Sequence, residues 1–188
     1  EQLHINANKN GSVAGKVIIE DKGDIIDWSK LGSGGWSIPS NVENIKFKKV
    51  TANYILYMEK AAVWERLHED KFWEKQKCII MSSQGQTTRV IRRLLQRLTT
   101  EFNLPIYVLC DFDAYGFYIY SVLKYGSINL AHIAEQMAIP SIKYLGITSE
   151  DIEKYKLQKH LIKLKEHDIK RLKQIKEYPW FKNNKVWQ

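Results

Sequence analysis

The sequence has few of the features that mark several whole classes of protein. Only two cysteines occur in its 188 residues, and both Cys78 and Cys110 lie inside apolar, strand-like runs, so we expect buried thiols. This pattern excludes a disulfide framework and a cysteine-based zinc site. No apolar run is long enough to span a membrane, and no signal peptide is recognisable. These absences predict a reducing compartment of the cytoplasmic or nuclear kind.

Two further kinds of site are missing. The five histidines show no metal-ligand spacing; they are His4, His68, His132, His160 and His167. A glycine-rich stretch at residues 32–35 could approach a phosphate, but it lacks the strand–loop–helix setting and the Gly-Lys-Ser/Thr ending of a P-loop. We therefore interpret it as a wide turn.

The composition is that of a globular protein with a strong positive charge. Hydrophobic residues make up 44% of the chain, which is too many for a disordered segment. The formal net charge is +8 and the isoelectric point is about 9.3. Such a charge favours an anionic partner, and nucleic acid is the default. The alternative is a lysine-rich solvated surface with no such partner.

Two aspartates directly after an apolar run are the most informative feature. The run from Pro105 to Cys110 is typical of a buried strand, and Asp111 and Asp113 follow it. Carboxylates two residues apart at a strand end point to the same side of the chain. They repel each other unless a cation or a proton intervenes, which predicts a divalent metal. The alternative is an ordinary polar strand end.

A third carboxylate occurs in the same setting. Glu59 ends the strand-like run 54–58 and precedes a predicted helix. In a parallel sheet it could converge with Asp111 and Asp113, and three oxygen donors suit Mg²⁺ or Mn²⁺. Taken alone, Glu59 could equally serve to complement the dipole of the helix that follows it.

The chain divides into a β-rich beginning and an alternating strand–helix part. Residues 1 to about 50 predict short strands and turns, and the later part predicts an α/β fold with a parallel sheet and right-handed crossovers. The predicted strands are 54–58, 78–82, 106–110 and 142–145, and the predicted helices are 60–75, 86–102, 115–124, 128–138 and 160–178. A capping box at Thr148–Asp151 opens a further short helix. The leucines and isoleucines of 161–175 predict a core-facing stripe. The chain ends without a cap or turn, so we interpret it as part of a longer protein.

The predicted helix 86–102 is strongly basic. Arg89, Arg93 and Arg97 are spaced by four and share one face. Arg89 lies in the first turn, at the same sheet edge as the acids, where its guanidinium suits a phosphate. A solvated face is the alternative. We therefore predict DNA contacts by Arg89 and Arg93, and by Lys60 beside Glu59.

Three tyrosines closely follow the aspartates. A tyrosine nucleophile for DNA cleavage is conceivable. However, Tyr118 and Tyr120 fall inside an apolar helix, where packing is the simpler role. For Tyr115 we favour packing or phosphate contact.

Several motifs in fixed order carry a family resemblance. They are Tyr54 to Leu67 around Glu59, Gly85-Gln-Thr-Thr-Arg89, Tyr107 to Tyr120 around the aspartates, Lys124-Tyr-Gly-Ser127, and Lys143 to Ile152. Together they resemble the A subunit of DNA topoisomerase VI, whose family includes the meiotic double-strand-break transesterase. The resemblance covers the chain from about residue 10 onward.

The resemblance implies a Rossmann-like Toprim fold and a metal-dependent function. Residues 51–157 would be the Toprim core, residues 1–50 a small β-rich segment leading into it, and residues 158–188 a truncated helical segment. Glu59, Asp111 and Asp113 would be the metal ligands and, through the metal, the catalytic residues. The parent would be a type IIB topoisomerase that hydrolyses ATP and breaks double-stranded DNA by Mg²⁺-assisted tyrosine transesterification. Its partners would be a second A subunit, together with an ATPase B subunit, in the archaeal cytoplasm or the eukaryotic nucleus.

Two departures from the family limit what this chain can do alone. Ala114 stands where the family often has proline, which leaves the carboxylates in place. The family's nucleophilic tyrosine belongs to an N-terminal winged-helix domain, which is not found in this sequence. We therefore expect no nucleophilic tyrosine in this chain and no cleavage by it alone. The alternatives are a meiotic-type break protein, a Toprim nuclease or primase-like enzyme, and a non-catalytic DNA-binding or dimerisation module.

Overall fold

The computed structural model describes residues 11–83, 85, 87–127 and 137–183. The strands are β1 (Ser12–Ala14), β2 (Val17–Asp21), β3 (Asp24–Asp27), β4 (Trp36–Ser37), β5 (Lys46–Val50), β6 (Tyr54–Met58), β7 (Cys78–Ser82), β8 (Ile106–Leu109) and β9 (Lys143–Leu145). The helices are α1 (Ala61–Glu69), α2 (Phe72–Lys75), α3 (Arg89–Phe102), α4 (Ala114–Tyr125), α5 (Ser149–Lys154), α6 (Glu166–Glu177) and α7 (Pro179–Lys182). Short 3₁₀ turns occur at Gly32–Gly34 and Gln158–His160.

The main sheet has the strand order β4-β1-β7-β6-β8-β9. Strands β7, β6, β8 and β9 run parallel to one another, whereas β1 is antiparallel to both β7 and β4. The apolar runs that predicted β6 and β7 are buried over almost their whole length, as parallel strands covered on both faces require. The predicted α/β class with a mostly parallel sheet is confirmed.

Helices cover both faces of this sheet. Alternate residues of β6 point to opposite sides, so that Ile55 packs in a core with α3 and α4, whereas Leu56 packs with the tryptophans of α1 and α2. The chain therefore leaves β6 toward one face and β7 and β8 toward the other. Such a divergence opens a crevice at the carboxyl ends of the strands.

The N-terminal part contributes to two sheets. Strands β3, β2 and β5 form a separate antiparallel sheet, whereas β1 and β4 extend the main one. The rings of Trp28 and Trp36 stack at 5.1 Å between their centroids, and both side chains belong to the core shared with α3 and α4. The β-rich beginning is thus as predicted, but β1 and β4 tie it into the parallel sheet. The predicted division at residues 50 and 157 stays a prediction.

One predicted helix is divided in two. Instead of a helix over 60–75, α1 ends at Glu69 and α2 starts at Phe72, because Lys71 takes a left-handed conformation with φ 49°. The turn places Trp73 on the same sheet face as Trp64, where both are buried. The Trp73 indole N–H donates to His68 Nδ1 at 3.1 Å and fixes the two helices together.

The predicted core-facing stripe of 161–175 is wrong for Leu161, Leu164 and Ile169, which are all exposed. Helix α6 begins only at Glu166, where the Asp168 carboxylate accepts the N–H of Lys165 at 2.9 Å. Leu161 and Leu164 lie before the helix and are 56% and 53% exposed, whereas Ile175 is only 4% exposed. The helical spacing of leucines and isoleucines therefore begins several residues before the helix itself.

The capping box at Thr148 and Asp151 is present, and α5 follows it as predicted. The predicted helix 128–138 lies outside the described residues except for its last two positions. None of the helices in the described ranges combines the length and apolarity that crossing a membrane demands.

Candidate metal centre

Glu59 and Asp111 meet because β6 and β8 pair in parallel. Met58 lies opposite Leu109, so the residues that follow leave the sheet side by side. The Glu59 N–H donates to the Leu109 carbonyl at 3.2 Å, and the Asp111 N–H donates to Glu59 Oε2 at 3.4 Å. Both acids stand at the crevice where the chain diverges after β6 and β8, which is where open α/β sheets bind ligands.

Asp113 occupies the N-cap position of α4. Its carboxylate accepts the N–H groups of Tyr115 and Gly116 at 2.9 and 2.8 Å. These bonds satisfy donors that the helix itself cannot satisfy. Gly116 allows this close turn, since a Cβ there would lie 2.3 Å from the Asp111 carbonyl oxygen. The motif Asp-Phe-Asp-Ala-Tyr-Gly is therefore a single structural unit.

The three carboxylates influence one another electrostatically. Burial raises the pKa of the Glu59 carboxyl above its ordinary value, and the negative charges of Asp111 and Asp113 add to that rise. Repulsion of this kind is relieved by a proton or a cation. A neighbouring positive charge would therefore favour the ionised form of Glu59.

Lys60 supplies such a charge from within the chain. Its ammonium forms a salt bridge with the Asp111 carboxylate, and this bond is the main reason that the pKa of Lys60 is raised. The side chains of Lys60 and Asp111 remain 57% and 42% exposed, so the pair is open to exchange with solvent cations. The sequence did not indicate this pairing.

The donor set has the chemistry of a hard-cation site, although each acid has a partner in the protein. Carboxylate oxygens are the ligands that Mg²⁺ and Mn²⁺ prefer. Among the described residues, no group of three Asp, Glu, His or Cys side chains is arranged to hold an ion as it stands. The Lys60 ammonium contacts Asp111 through Oδ2, and the helix N–H groups contact Asp113 through Oδ1. These contacts leave the other oxygen of each aspartate for an ion.

A small cleft of ≈ 240 Å³ opens beside Glu59, Lys60 and Asp111. Cys110 and Gly146 form part of its lining, and a Cβ at Gly146 would lie 2.8 Å from the Cys110 carbonyl oxygen. Burial and the adjacent acids raise the pKa of the Cys110 thiol, so it stays protonated, consistent with the buried thiol that we predicted. A larger groove of ≈ 580 Å³ continues from Asp111 and Asp113 to the exposed segment 160–165.

The basic helix faces the N-terminal part of the chain. Arg93 donates through Nε and Nη2 to the two oxygens of Glu43 at 2.7 and 3.0 Å. Arg97 pairs with Glu101 at 2.7 Å, and its guanidinium lies 4.9 Å from the centroid of the Phe47 ring. Arg93 and Arg97 are thus engaged within the protein, and DNA contact by Arg93 stays a prediction.

Arg89 is the first residue of α3 and is exposed. Since α3 follows the carboxyl end of β7, Arg89 stands at the same edge of the sheet as Glu59. Its charge contributes to the low pKa of Glu43, after the larger effects of Arg93 and Arg97. The three arginines therefore share a face, as their spacing predicted.

The tyrosines after Asp113 have packing partners. Tyr120 is buried and donates to the Ile142 carbonyl at 3.2 Å. The Arg171 guanidinium lies 4.4 Å from the centroid of the Tyr118 ring and 5.2 Å from that of Tyr115. These contacts agree with the packing role that we favoured for Tyr118 and Tyr120.

A buried hydroxyl network, which the sequence did not indicate, holds the loop before α3. The Tyr57 hydroxyl lies 2.7 Å from Thr87 Oγ1 and also bonds to Ser83, whose hydroxyl donates to the Gly85 carbonyl at 2.6 Å. Burial raises the pKa of Tyr57 to about 12, so the phenol remains neutral and can donate. The network fixes the start of α3 relative to the end of β6, because Tyr57 lies on β6 two residues before Glu59.

Comparisons with known proteins agree with this architecture. Residues 54–188 match the model of the Toprim domain shared by Spo11 and the topoisomerase 6 A subunit, and residues 8–51 match the all-beta domain in DNA topoisomerase VI alpha subunit. The chain is 44% identical over 198 residues to the A subunit of type 2 DNA topoisomerase 6 from Pyrococcus abyssi, covering 100% of this chain and 52% of that protein. The corresponding protein of Sulfurisphaera tokodaii is 40% identical over 198 residues, covering 100% of this chain and 51% of that protein.

A plant relative extends the comparison. The A subunit of DNA topoisomerase 6 from Arabidopsis thaliana is 37% identical over 186 residues, covering 98% of this chain and 44% of that protein. The chain thus spans about half the length of the curated relatives that it matches. The matches agree with the observed parallel sheet, the acids at its edge and the antiparallel β-rich beginning. The chain therefore belongs to the family of Spo11 and the DNA topoisomerase VI A subunit, and it carries the Toprim domain of that family.

Proposed function

We propose that this chain is the metal-binding and DNA-positioning part of the A subunit of a type IIB DNA topoisomerase. The observation that carries the proposal is the contact between Glu59 and Asp111 at the diverging edge of the sheet, with Asp113 two residues further along at the start of α4. The family membership supports a topoisomerase as the parent protein. Double-stranded DNA would be the substrate, broken by tyrosine transesterification.

Glu59, Asp111 and Asp113 would hold a divalent cation, Mg²⁺ with Mn²⁺ as a substitute. When bound, the ion would neutralise charge on the phosphate oxygens of the scissile segment. The protein's own residues would orient the DNA: Lys60 and Arg89 extend from the same edge of the sheet and could contact phosphate oxygens. The capping role of Asp113 would keep α4 and the second aspartate in one fixed relation.

The parent complex would contain further components. We propose a second copy of the A subunit, together with an ATPase B subunit, which would couple the break to ATP hydrolysis. The three tyrosines that follow Asp113 have packing roles, since Tyr120 is buried and Arg171 covers Tyr115 and Tyr118. The nucleophile would come from outside the part of the chain described by the structure, and we expect this chain by itself to bind DNA without cutting it.

A Mn²⁺ titration followed by amide NMR tests the metal site. Paramagnetic broadening should appear selectively around Glu59, Asp111 and Asp113, because bound Mn²⁺ relaxes nearby nuclei. Glu59→Gln and Asp111→Asn should each abolish it. Glu69→Gln is the matched control, since Glu69 lies on α1 and pairs only with Arg66 among the described residues. Broadening centred on other surface acids, or equal broadening in all variants, would refute the site.

Fluorescence anisotropy with a short labelled duplex tests the DNA contact. Arg89→Gln should weaken binding and reduce its salt dependence by about one released counterion. Arg66→Gln removes the same charge from α1, on the other face of the sheet, and should change neither quantity. Equal loss in both variants would mean that only net charge matters.

A further inference from the structure

A guanidinium group is buried beneath the first turns of α3. Arg92 is only 3% exposed and lies among the apolar residues that α3 turns toward the sheet, such as Leu95. In the ranges that the structure describes, its Nε and Nη1 atoms have no hydrogen-bond partner. The neighbouring Arg93, by contrast, has the full carboxylate of Glu43.

Such a group is strongly unfavourable unless an anion accompanies it. Arginine remains protonated in proteins, so burial leaves a positive charge that water cannot solvate. Burial lowers the pKa of Arg92, and the nearby charge of Arg89 lowers it further. The positive charges of Arg92 and Arg89 are therefore close together, and that of Arg92 is shielded from water. A negatively charged ligand would offset both the burial of Arg92 and its repulsion by Arg89.

The surroundings of Arg92 fit an anion more than any other ligand. Side chains of an α-helix lean toward its N-terminus, so Arg92, the fourth residue of α3, extends toward the start of that helix. The start of this 14-residue helix is itself electropositive. Across from it on α4 stands Tyr118, within electrostatic reach of Arg92 and covered by the guanidinium of Arg171.

We propose that Arg92, Arg89 and the N-terminus of α3 form a phosphate-binding site. Guanidinium groups match phosphate oxygens in geometry, and two of them beside a helix N-terminus can bind one phosphate group from several directions. The Tyr57 network holds the loop that leads into this helix, which keeps the site in place. The phosphate could be a free anion or a backbone phosphate of DNA. Only the second source rests on the proposed function.

Side-chain NMR of the uniformly ¹⁵N-labelled 188-residue chain tests the site directly. Inorganic phosphate should shift the Arg92 Nε–H signal in a saturable manner, whereas the same concentration of chloride should not. A short DNA duplex should shift the same signal if the backbone is the source. Arg92→Met, which fills the space without charge, should weaken phosphate binding by about tenfold or more, because charge-assisted hydrogen bonds are lost.

Thermal unfolding separates a ligand site from a structural role. In phosphate-free buffer, Arg92→Met should be at least as stable as the wild type, since it removes a buried charge that lacks a partner. The stabilisation that phosphate confers on the wild type should disappear in this variant and persist in Arg66→Gln. Arg92→Lys retains the charge and should retain part of the binding, which keeps the test valid if Arg92→Met does not fold.

The outcomes divide clearly. A shift with phosphate but not with duplex would support a free-anion site, and a shift with both would support backbone contact. No shift of Arg92 with either, or unchanged binding by Arg92→Met, would overturn the proposal. The Mn²⁺ experiment is independent: loss of broadening at Glu59 with an intact Arg92 response would remove the proposed metal site and leave the phosphate site standing.

Discussion

Replacing Asp113 by alanine separates the structural role of this carboxylate from its proposed role as a ligand. Asp113 accepts two N–H groups at the start of α4, at 2.9 and 2.8 Å, and Asp113→Ala removes this cap. The substitution also removes one of the charges that raise the pKa of Glu59. The first effect destabilises the fold and the second stabilises it.

The cap is the larger of the two effects. Loss of an aspartate N-cap costs about 1 kcal/mol, with a range of roughly 0.5–2 kcal/mol. The repulsion acts between groups that are exposed or only partly buried, where solvent screens it, and Asp113 is not its main source. We therefore expect Asp113→Ala to lower the free energy of unfolding by about 1 kcal/mol, which is a fall of roughly 2–4 °C in Tm for a chain of this size.

Urea unfolding followed by circular dichroism, with a chelator present at about pH 7, measures this difference. Asp113→Asn is the matched control, because asparagine caps a helix as well as aspartate but carries no charge. It should unfold at the wild-type urea concentration or slightly above. A wild-type midpoint for Asp113→Ala would refute the capping role, and an equal loss in both variants would show that the charge and not the cap stabilises α4.

Three further outcomes are expected. Glu59→Gln should raise the stability of the metal-free chain at neutral pH. Because the pKa of Glu59 is raised in the folded state, wild-type stability falls as the pH rises through that pKa. The gain in urea midpoint should therefore vanish in acid, and a gain that is the same at every pH would contradict the prediction. Tyr57→Phe should cost about 1–2 kcal/mol and accelerate amide hydrogen exchange at residues 87–89, because the loop before α3 loses its buried hydroxyl partner; unchanged exchange there would contradict the role of the network. Thr148→Ala should cost about 1 kcal/mol in thermal unfolding through loss of the α5 cap, and Thr148→Ser should restore it.

The secondary structure of the parallel sheet could be predicted because it is encoded locally. Strands β6 and β7 begin and end at the residues predicted, since each is an apolar run buried on both faces. Helix α3 starts three residues later than predicted, at the point where Thr88 caps it by accepting the Ile91 N–H. The break at Lys71 was missed, because it accompanies the packing of Trp73 against the sheet and is not marked by glycine or proline.

The limits of periodicity are clearest near the C-terminus. Leu161 and Leu164 continue the spacing of a helical stripe, yet they lie exposed before α6. A spacing of three and four residues indicates that a helix would have an apolar face; it does not show that the backbone is helical or that another element covers that face.

The acids could be proposed from the sequence because the carboxyl end of a strand is a position along the chain. Glu59, Asp111 and Asp113 each follow an apolar run, and parallel pairing of β6 and β8 then brings the first two together without further specification. Their present partners could not be found in this way. The salt bridge from Lys60 to Asp111 and the cap that Asp113 provides depend on side-chain directions at the edge of the sheet.

The arginines of α3 show where sequence information ends. Their number and spacing established one shared face, but neighbouring positions of the helix have different surroundings: Arg89 is exposed, Arg93 pairs with Glu43, and Arg92 is buried, with two of its nitrogens lacking a partner in the described residues. The sequence by itself determined the strands, the capping box at Thr148 and the acids at strand ends, because these depend on neighbours within a few positions. Only the tertiary structure decided which charges are paired, exposed or buried, because burial and pairing depend on elements that are far apart in the chain and adjacent in space.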